Sequence, residues 1–227
     1  MSIKRRIKTS ESDGVEIPLL NKGEYEGRLR YVADLGVHIN EHKGVRKADV
    51  QKLCLGIEIL GETIELEDEV KPRLMWSDAF NIYHQLTEKG KEIVMFRVFD
   101  PSAQIGDVAD WDAVINEPCN VVVVHKDGTG ENAGKVYANI ATISPIPSKY
   151  KDGVEQGLIT DGCTGDVDDP ENPAQKATFG LPDWLIQRRI DGGDNAGDNA
   201  GDVVDDLRAD DNKDKQSRED FDDNIPF

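Results

Sequence analysis

The chain has 227 residues, is 37% hydrophobic and only 6% aromatic, and carries a formal net charge of −18. Three widely spaced cysteines with no Cys-x-x-Cys pair argue against a disulfide framework or a zinc site. No apolar run approaches the roughly 20 residues of a membrane helix, and the basic start MSIKRRIK has no apolar stretch behind it, so a soluble protein of a reducing cytoplasm without a signal peptide is expected. The charge is unevenly spread. Residues 191–227 hold 13 acids against 4 bases, a net of −9 that is half the total. A low overall pI therefore says nothing against a basic face on the folded part.

Taken in order, residues 1–20 show no period and are expected to form a flexible arm. From Gly23, GEYEGRLRYV alternates Tyr25, Gly27, Leu29 and Tyr31 against Glu26, Arg28 and Arg30, which predicts a strand with a polar face. HINEHKGVRK reads as a polar, basic loop turning at Gly44. DVQKLCLGIEIL repeats the alternation with Leu53, Leu55, Ile57 and Ile59. KPRLMWSDAFNIYH admits a helix capped by Ser77 or a strand, and its aromatic and β-branched content favours the strand. EIVMFRVFD, CNVVVVHKD and KVYANIATIS are read as strands, the last two joined by the glycine-rich hairpin loop GTGENAG, with DWDAVIN as a short helical turn. Five or six strands with few short helices predict a mainly β fold, a small barrel or sandwich. Residues 151–180 show no period, LPDWLIQRRI reads as a short docking helix with Pro182 in its first turn, and DGGDNAGDNAGD is a flexible linker. The expected division is an arm (1–20), a folded domain (21–150), a linker with the helix (151–190) and a disordered acidic tail (191–227).

The tail ends in DFDDNIPF. Asp220, Asp222, Asp223 and the terminal carboxylate surround Ile225, Pro226 and Phe227. A terminal aromatic is a pocket anchor, Pro226 stiffens the approach, and the acids suit a ring of Lys and Arg on a partner. This stretch resembles the C-terminal tip of bacterial single-stranded DNA-binding proteins, with Asn224 where an acid is usual. The resemblance implies that the tip recruits replication and recombination proteins such as a polymerase, helicase, primase or nuclease.

A second resemblance covers residues 117–147. EPCNVVVVHKDGTGENAGKVYANIATISPIP is similar to the final hairpin of phage-encoded single-stranded DNA-binding proteins, in its Pro-Cys strand, its His-containing strand end, its Tyr-Ala-Asn-Ile strand and its Ser-Pro exit. It implies an OB-like small barrel, a role in coating single strands during replication, recombination and repair, and a location in the cytoplasm of a bacterial host. A monomer or small homo-oligomer without cofactor is expected.

Coating single strands needs cations for phosphate and aromatic faces for bases, each stacked base being worth about 1–3 kcal/mol. The phosphate candidates are Arg28 and Arg30 on the polar face of the first strand, Arg46 and Lys47 in the following loop, Lys71 and Arg73, and Lys126 and Lys135 flanking the last hairpin. The stacking candidates are Tyr31, Trp76, Phe80, Tyr83 and Tyr137. Core packing is the competing role for each aromatic and the favoured one for Phe80, and a solvated face is the competing role for each cation.

Other patterns fail on their spacing. DGTGENAGKV has Thr129 and Val136 where a phosphate loop needs Gly and Ser or Thr, and it joins two strands. DVDDPENPAQKA lacks the Gly and Glu of a calcium loop. His38 and His42 have no third ligand. No catalytic constellation emerges, so an enzyme is not expected. The alternative is an interaction protein that copies the tip as a decoy and binds no DNA.

Overall fold

The computed structural model describes residues 18–42, 45–66, 69–130, 133–166 and 183–192. The expected N-terminal arm up to residue 17, the turn at Gly44 and the tail from residue 193 lie outside the described residues. The fold is mainly β, as expected. Its strands are β1 (Gly23–His42), β2 (Val45–Leu66), β3 (Glu69–Trp76), β4 (Phe80–Ile82), β5 (Pro118–Asp127), β6 (Val136–Pro145) and β7 (Cys163–Asp166). Among the described residues the helices are α1 (Lys91–Phe99), α2 (Ser148–Lys151) and α3 (Asp183–Gly192), with a 3-10 turn at Asp112–Val114.

The strands form one sheet in the order β3-β2-β1-β5-β6, with β4 on β2 and β7 on β1. All pairings are antiparallel except that of β7, which runs parallel to β1. HINEHKGVRK is not a loop: Asn40 pairs with Lys47, Glu41 with Arg46 and His42 with Val45. Polar residues serve a two-stranded hairpin arm as well as a loop when neither face is buried.

Alternation in β2 works as the sequence predicts. Leu53, Leu55, Ile57 and Ile59 are buried together on the main core with Leu29, Val121 and Val123. β1 is less regular. Its register against β2 slips between Leu29 and Tyr31, leaving Arg30 as an extra residue that turns the strand. Before this bulge Leu29 faces the main core; after it Tyr31, Ala33 and Leu35 face a second cluster on the opposite side, with Cys54, Ile159 and Leu185. The bulge also marks a change of neighbour. β1 pairs with β5 from Gly23 to Arg28 and with β7 from Tyr31 to Asp34.

EIVMFRVFD, expected as a strand, is helix α1. Its Ile93, Phe96 and Phe99 are buried and recur at spacing three, while Val94 stays 63% exposed. The β-branched and aromatic content points to a strand, but packing on the main core decides otherwise. Phe96 meets Trp111 edge-on at 5.0 Å between ring centroids, and Phe80 lies 5.9 Å from the same indole. KPRLMWSDAFNIYH divides into β3 and β4, so the strand preference holds and Ser77 caps no helix. Its hydroxyl accepts from the Leu55 N–H at 3.0 Å. Leu185 of α3 is fully buried in the second cluster.

Candidate nucleic-acid interface

The sequence-predicted site residues fall in three places rather than in one groove. The first is the outer face of β1, β2 and β3, where β1 carries Arg28, Arg30 and Tyr31 and β3 carries Trp76. Arg28 and Arg30 were expected on a solvated polar face; instead they are 6% and 2% exposed. The reason is the segment that follows α2, which crosses this face. Arg28 donates from Nε to the Glu155 carbonyl at 2.6 Å, from Nη2 to the Val154 carbonyl at 2.9 Å and from Nη1 to the Asn116 carbonyl at 2.7 Å. Arg30 donates from Nη2 to the Gln156 carbonyl, from Nη1 to Asn116 Oδ1 and from Nε to Glu58 Oε2, the last at 2.7 Å. Glu58 in turn accepts from the Leu158 N–H at 2.6 Å. Residues 151–166, which show no period, are therefore built into the fold by charge and main-chain polarity together with the buried side chains of Val154 and Ile159.

Tyr31 is likewise buried, at 2% exposure. Its ring stacks on Trp76 with centroids 6.4 Å apart and planes 26° from parallel. Gly56 makes this stack possible, because a Cβ there would lie 3.0 Å from the Trp76 ring and 3.2 Å from Tyr31 Cβ. Burial pushes the Tyr31 phenol up to about 12, helped by neighbouring Cys163. The Trp76 ring itself is half-buried.

The second place is the main core. Phe80, at 3% exposure, packs there against Trp111, the role favoured for it from sequence. A base cannot reach it without unfolding.

The third comprises exposed strand ends. Arg46 and Lys47 are exposed on the β1–β2 arm, where Arg46 lies 3.2 Å from Asp49. Lys126 and Tyr137 sit directly opposite one another on β5 and β6, both exposed, with Lys135 also exposed at that tip. Because β5 is antiparallel to β1 along Gly23–Arg28, the β5–β6 tip lies towards the start of β1, away from the β1–β2 arm. On β3, Lys71 pairs with Glu69 at 3.3 Å. Arg73 is half-buried, its pKa lowered mainly by burial, with Glu62 and Tyr25 beside it. Tyr83 is 48% exposed beyond β4.

A cleft of about 350 Å³ opens between Val32, Leu53, Trp111 and Thr164. Asp34, Asp110 and Asp112 line it, so it repels a polyanion. Among the described residues, no group of three or more His, Cys, Asp or Glu is placed to hold a metal ion, and no helix is long and apolar enough to cross a membrane.

Sequence reasoning missed Glu58 and Asn116 as partners of the arginines. Glu58 occupies a polar position in a regular alternation, which reads as solvent-facing. Asn116, with a φ of 70°, is a non-glycine residue held in the left-handed region, but nothing in VINEP marks it as an arginine acceptor. The acidic tip residues Asp220, Asp222, Asp223, Ile225, Pro226 and Phe227 lie outside the described residues. Neither protein-family models nor curated protein sequences give a match to this chain.

Proposed function

We propose that this is a sequence-nonspecific single-stranded DNA-binding protein of the phage type, with an OB-like barrel that coats single strands and an acidic tip that recruits replication, recombination and repair proteins. The observation that carries the reading is the strand order. In β3-β2-β1-β5-β6 the outer strands β3 and β6 approach within 8 Å at some Cα pairs, and α1 intervenes in sequence between β4 and β5. A five-stranded Greek-key barrel of the OB kind has its ligand face on strands 2 and 3, flanked by its strand 1–2 and 4–5 loops. Here those positions correspond to the outer face that carries Trp76, the arm that carries Arg46 and Lys47, and the tip that carries Lys126, Lys135 and Tyr137. Cations at both ends and an aromatic stack between them suit a flexible polyanion with stackable bases.

One observation favours a second reading. Burial of Arg28, Arg30 and Tyr31 removes three of the expected contacts, as it would in an interaction protein whose tip acts as a decoy and whose barrel binds no DNA. A titration with a long thymidine oligomer at several salt concentrations, followed by tryptophan fluorescence, separates the two. Salt-sensitive binding with quenching supports the DNA-binding protein. No binding at low salt, with and without the tail, supports the decoy.

A further inference from the structure

We propose that residues 154–159 form a displaceable strap over an anion-binding face on β1, and that a nucleic-acid strand takes this face by exchanging its phosphates for the strap's carbonyl oxygens. The inference rests on the reading of the protein as a single-strand binder and adds where, and at what cost, the strand binds.

The strap supplies three successive carbonyls, of Val154, Glu155 and Gln156, to two neighbouring guanidinium groups. A guanidinium fork matches two oxygens of one phosphate, and a charged acceptor makes the stronger bond. The direct ion-pair contacts on this face are uneven. Arg28 and Arg30 lie side by side, and Arg30 alone has a carboxylate in contact, that of Glu58. Among the described residues, no carboxylate forms an ion pair with Arg28, whose bonds all go to main-chain carbonyls. Peptide carbonyls take the hydrogen bonds of Arg28, and Glu117 and Glu58 act on its charge only from beyond ion-pair distance. An incoming phosphate would give Arg28 a charged acceptor in direct contact.

The apolar anchors of the strap lie at its ends. Val154 and Ile159 are each 5% exposed, whereas Leu158 between them is 58% exposed and Glu155, Gln156 and Gly157 are exposed as well. Such a segment, anchored by a few polar bonds with little apolar burial, belongs to the part of a structure that opens locally first. Beneath it the Tyr31 hydroxyl is buried without a hydrogen-bond partner, a polar group that strap opening would hydrate. Lifting the strap joins the two arginines to the Tyr31–Trp76 stack and makes one continuous surface for phosphate and base.

Gly157 provides a handle that leaves the proposed contacts untouched. Its φ is +75°, and a Cβ there would lie 2.5 Å from Glu58 Oε2, so Gly157→Ala pushes the strap away from Glu58. The experiment is amide hydrogen exchange on the full chain, with and without a long thymidine oligomer at low salt, together with oligomer affinities of the wild type and of Gly157→Ala. Added oligomer is expected to speed exchange of the Leu158 and Ile159 amides while β1 and β2 stay protected. Because apparent affinity scales with the open fraction, Gly157→Ala is expected to bind on the order of tenfold more tightly. Binding with the Leu158 and Ile159 amides equally or better protected overturns the strap, whatever the variant's affinity, and leaves the single-strand reading standing. Absence of oligomer binding by both proteins at low salt overturns that reading and the strap with it.

Discussion

Arg30 Nε lies 2.7 Å from Glu58 Oε2, and the two side chains are 2% and 3% exposed. This pair, sealed between strand and strap, is the electrostatic centre of the outer face. Removing one member of a buried pair leaves an uncompensated charge and costs about 3–5 kcal/mol. Glu58→Ala is therefore expected to lower the urea midpoint sharply, since it strands Arg30 and also releases the Leu158 N–H. An unchanged midpoint would show that water already reaches the pair.

The Tyr31–Trp76 stack depends on a bare backbone at residue 56. Gly56→Val should displace the indole and change tryptophan emission while leaving the main core, which lies on the other side of β2, in place. If emission and oligomer-induced quenching both match the wild type, the stack is not the fluorescence reporter.

The thiols differ in accessibility. Burial pushes Cys54 and Cys119 up to about 12 each, so neither is a thiolate at pH 8, whereas Cys163 is only half-buried. A thiol-specific reagent at pH 8 should label Cys163 first and the other two only with unfolding. Early labelling of Cys119 would contradict its place in the core.

Glu92 sets a pH dependence. Burial raises its carboxyl above the ordinary value of 4.5, opposed by the Tyr83 N–H that it accepts at 3.2 Å. Between 4.5 and the raised folded value the native state holds more protons than the unfolded chain, so this group's contribution to stability falls as pH rises through that window. Glu92→Gln keeps an acceptor for Tyr83 and removes the titration. Relative to wild type it should gain stability from pH 4 to pH 7, as measured by urea midpoints. A constant difference across that range would show that the carboxyl titrates alike in both states.

Cutting the chain after Gly192 keeps α3 whole and removes most of the acidic tail. Under the proposed function, oligomer affinity should rise about tenfold in dilute buffer, the gain should vanish at high salt, and capture of replication proteins should be lost. Equal affinity of the two forms at low salt would show that the tail does not compete for the DNA face.

Much of the β-structure is legible in the sequence because period-2 burial is written residue by residue. Leu53 to Ile59 in β2 and Cys119, Val121 and Val123 in β5 follow it directly. Helix α1 is not legible that way, since Ile93, Val94, Phe96, Val98 and Phe99 suit either element until Trp111 and the core are in place. The outer face is the least legible. Arg28 and Arg30 alternate correctly as polar residues, yet what buries them lies about 125 residues away, in a segment with no pattern of its own. Main-chain carbonyls carry no sequence signal, so a site completed by them is invisible until the chain is folded.

The change of partner along β1 has a consequence for the order of assembly. Its first half waits for β5, and its second half pairs Tyr31 with Cys163, 132 residues later. Closure over so long a loop precedes any reward from pairing, and topologies rich in such distant contacts fold slowly. During synthesis β1 thus emerges before the other six described strands and waits for the latest of them, β7, to be finished. Until Cys163 to Asp166 arrive, the segment from Tyr31 to Asp34 presents an open apolar edge to any other strand nearby, and a chaperone that shields this edge would govern the yield of folded protein.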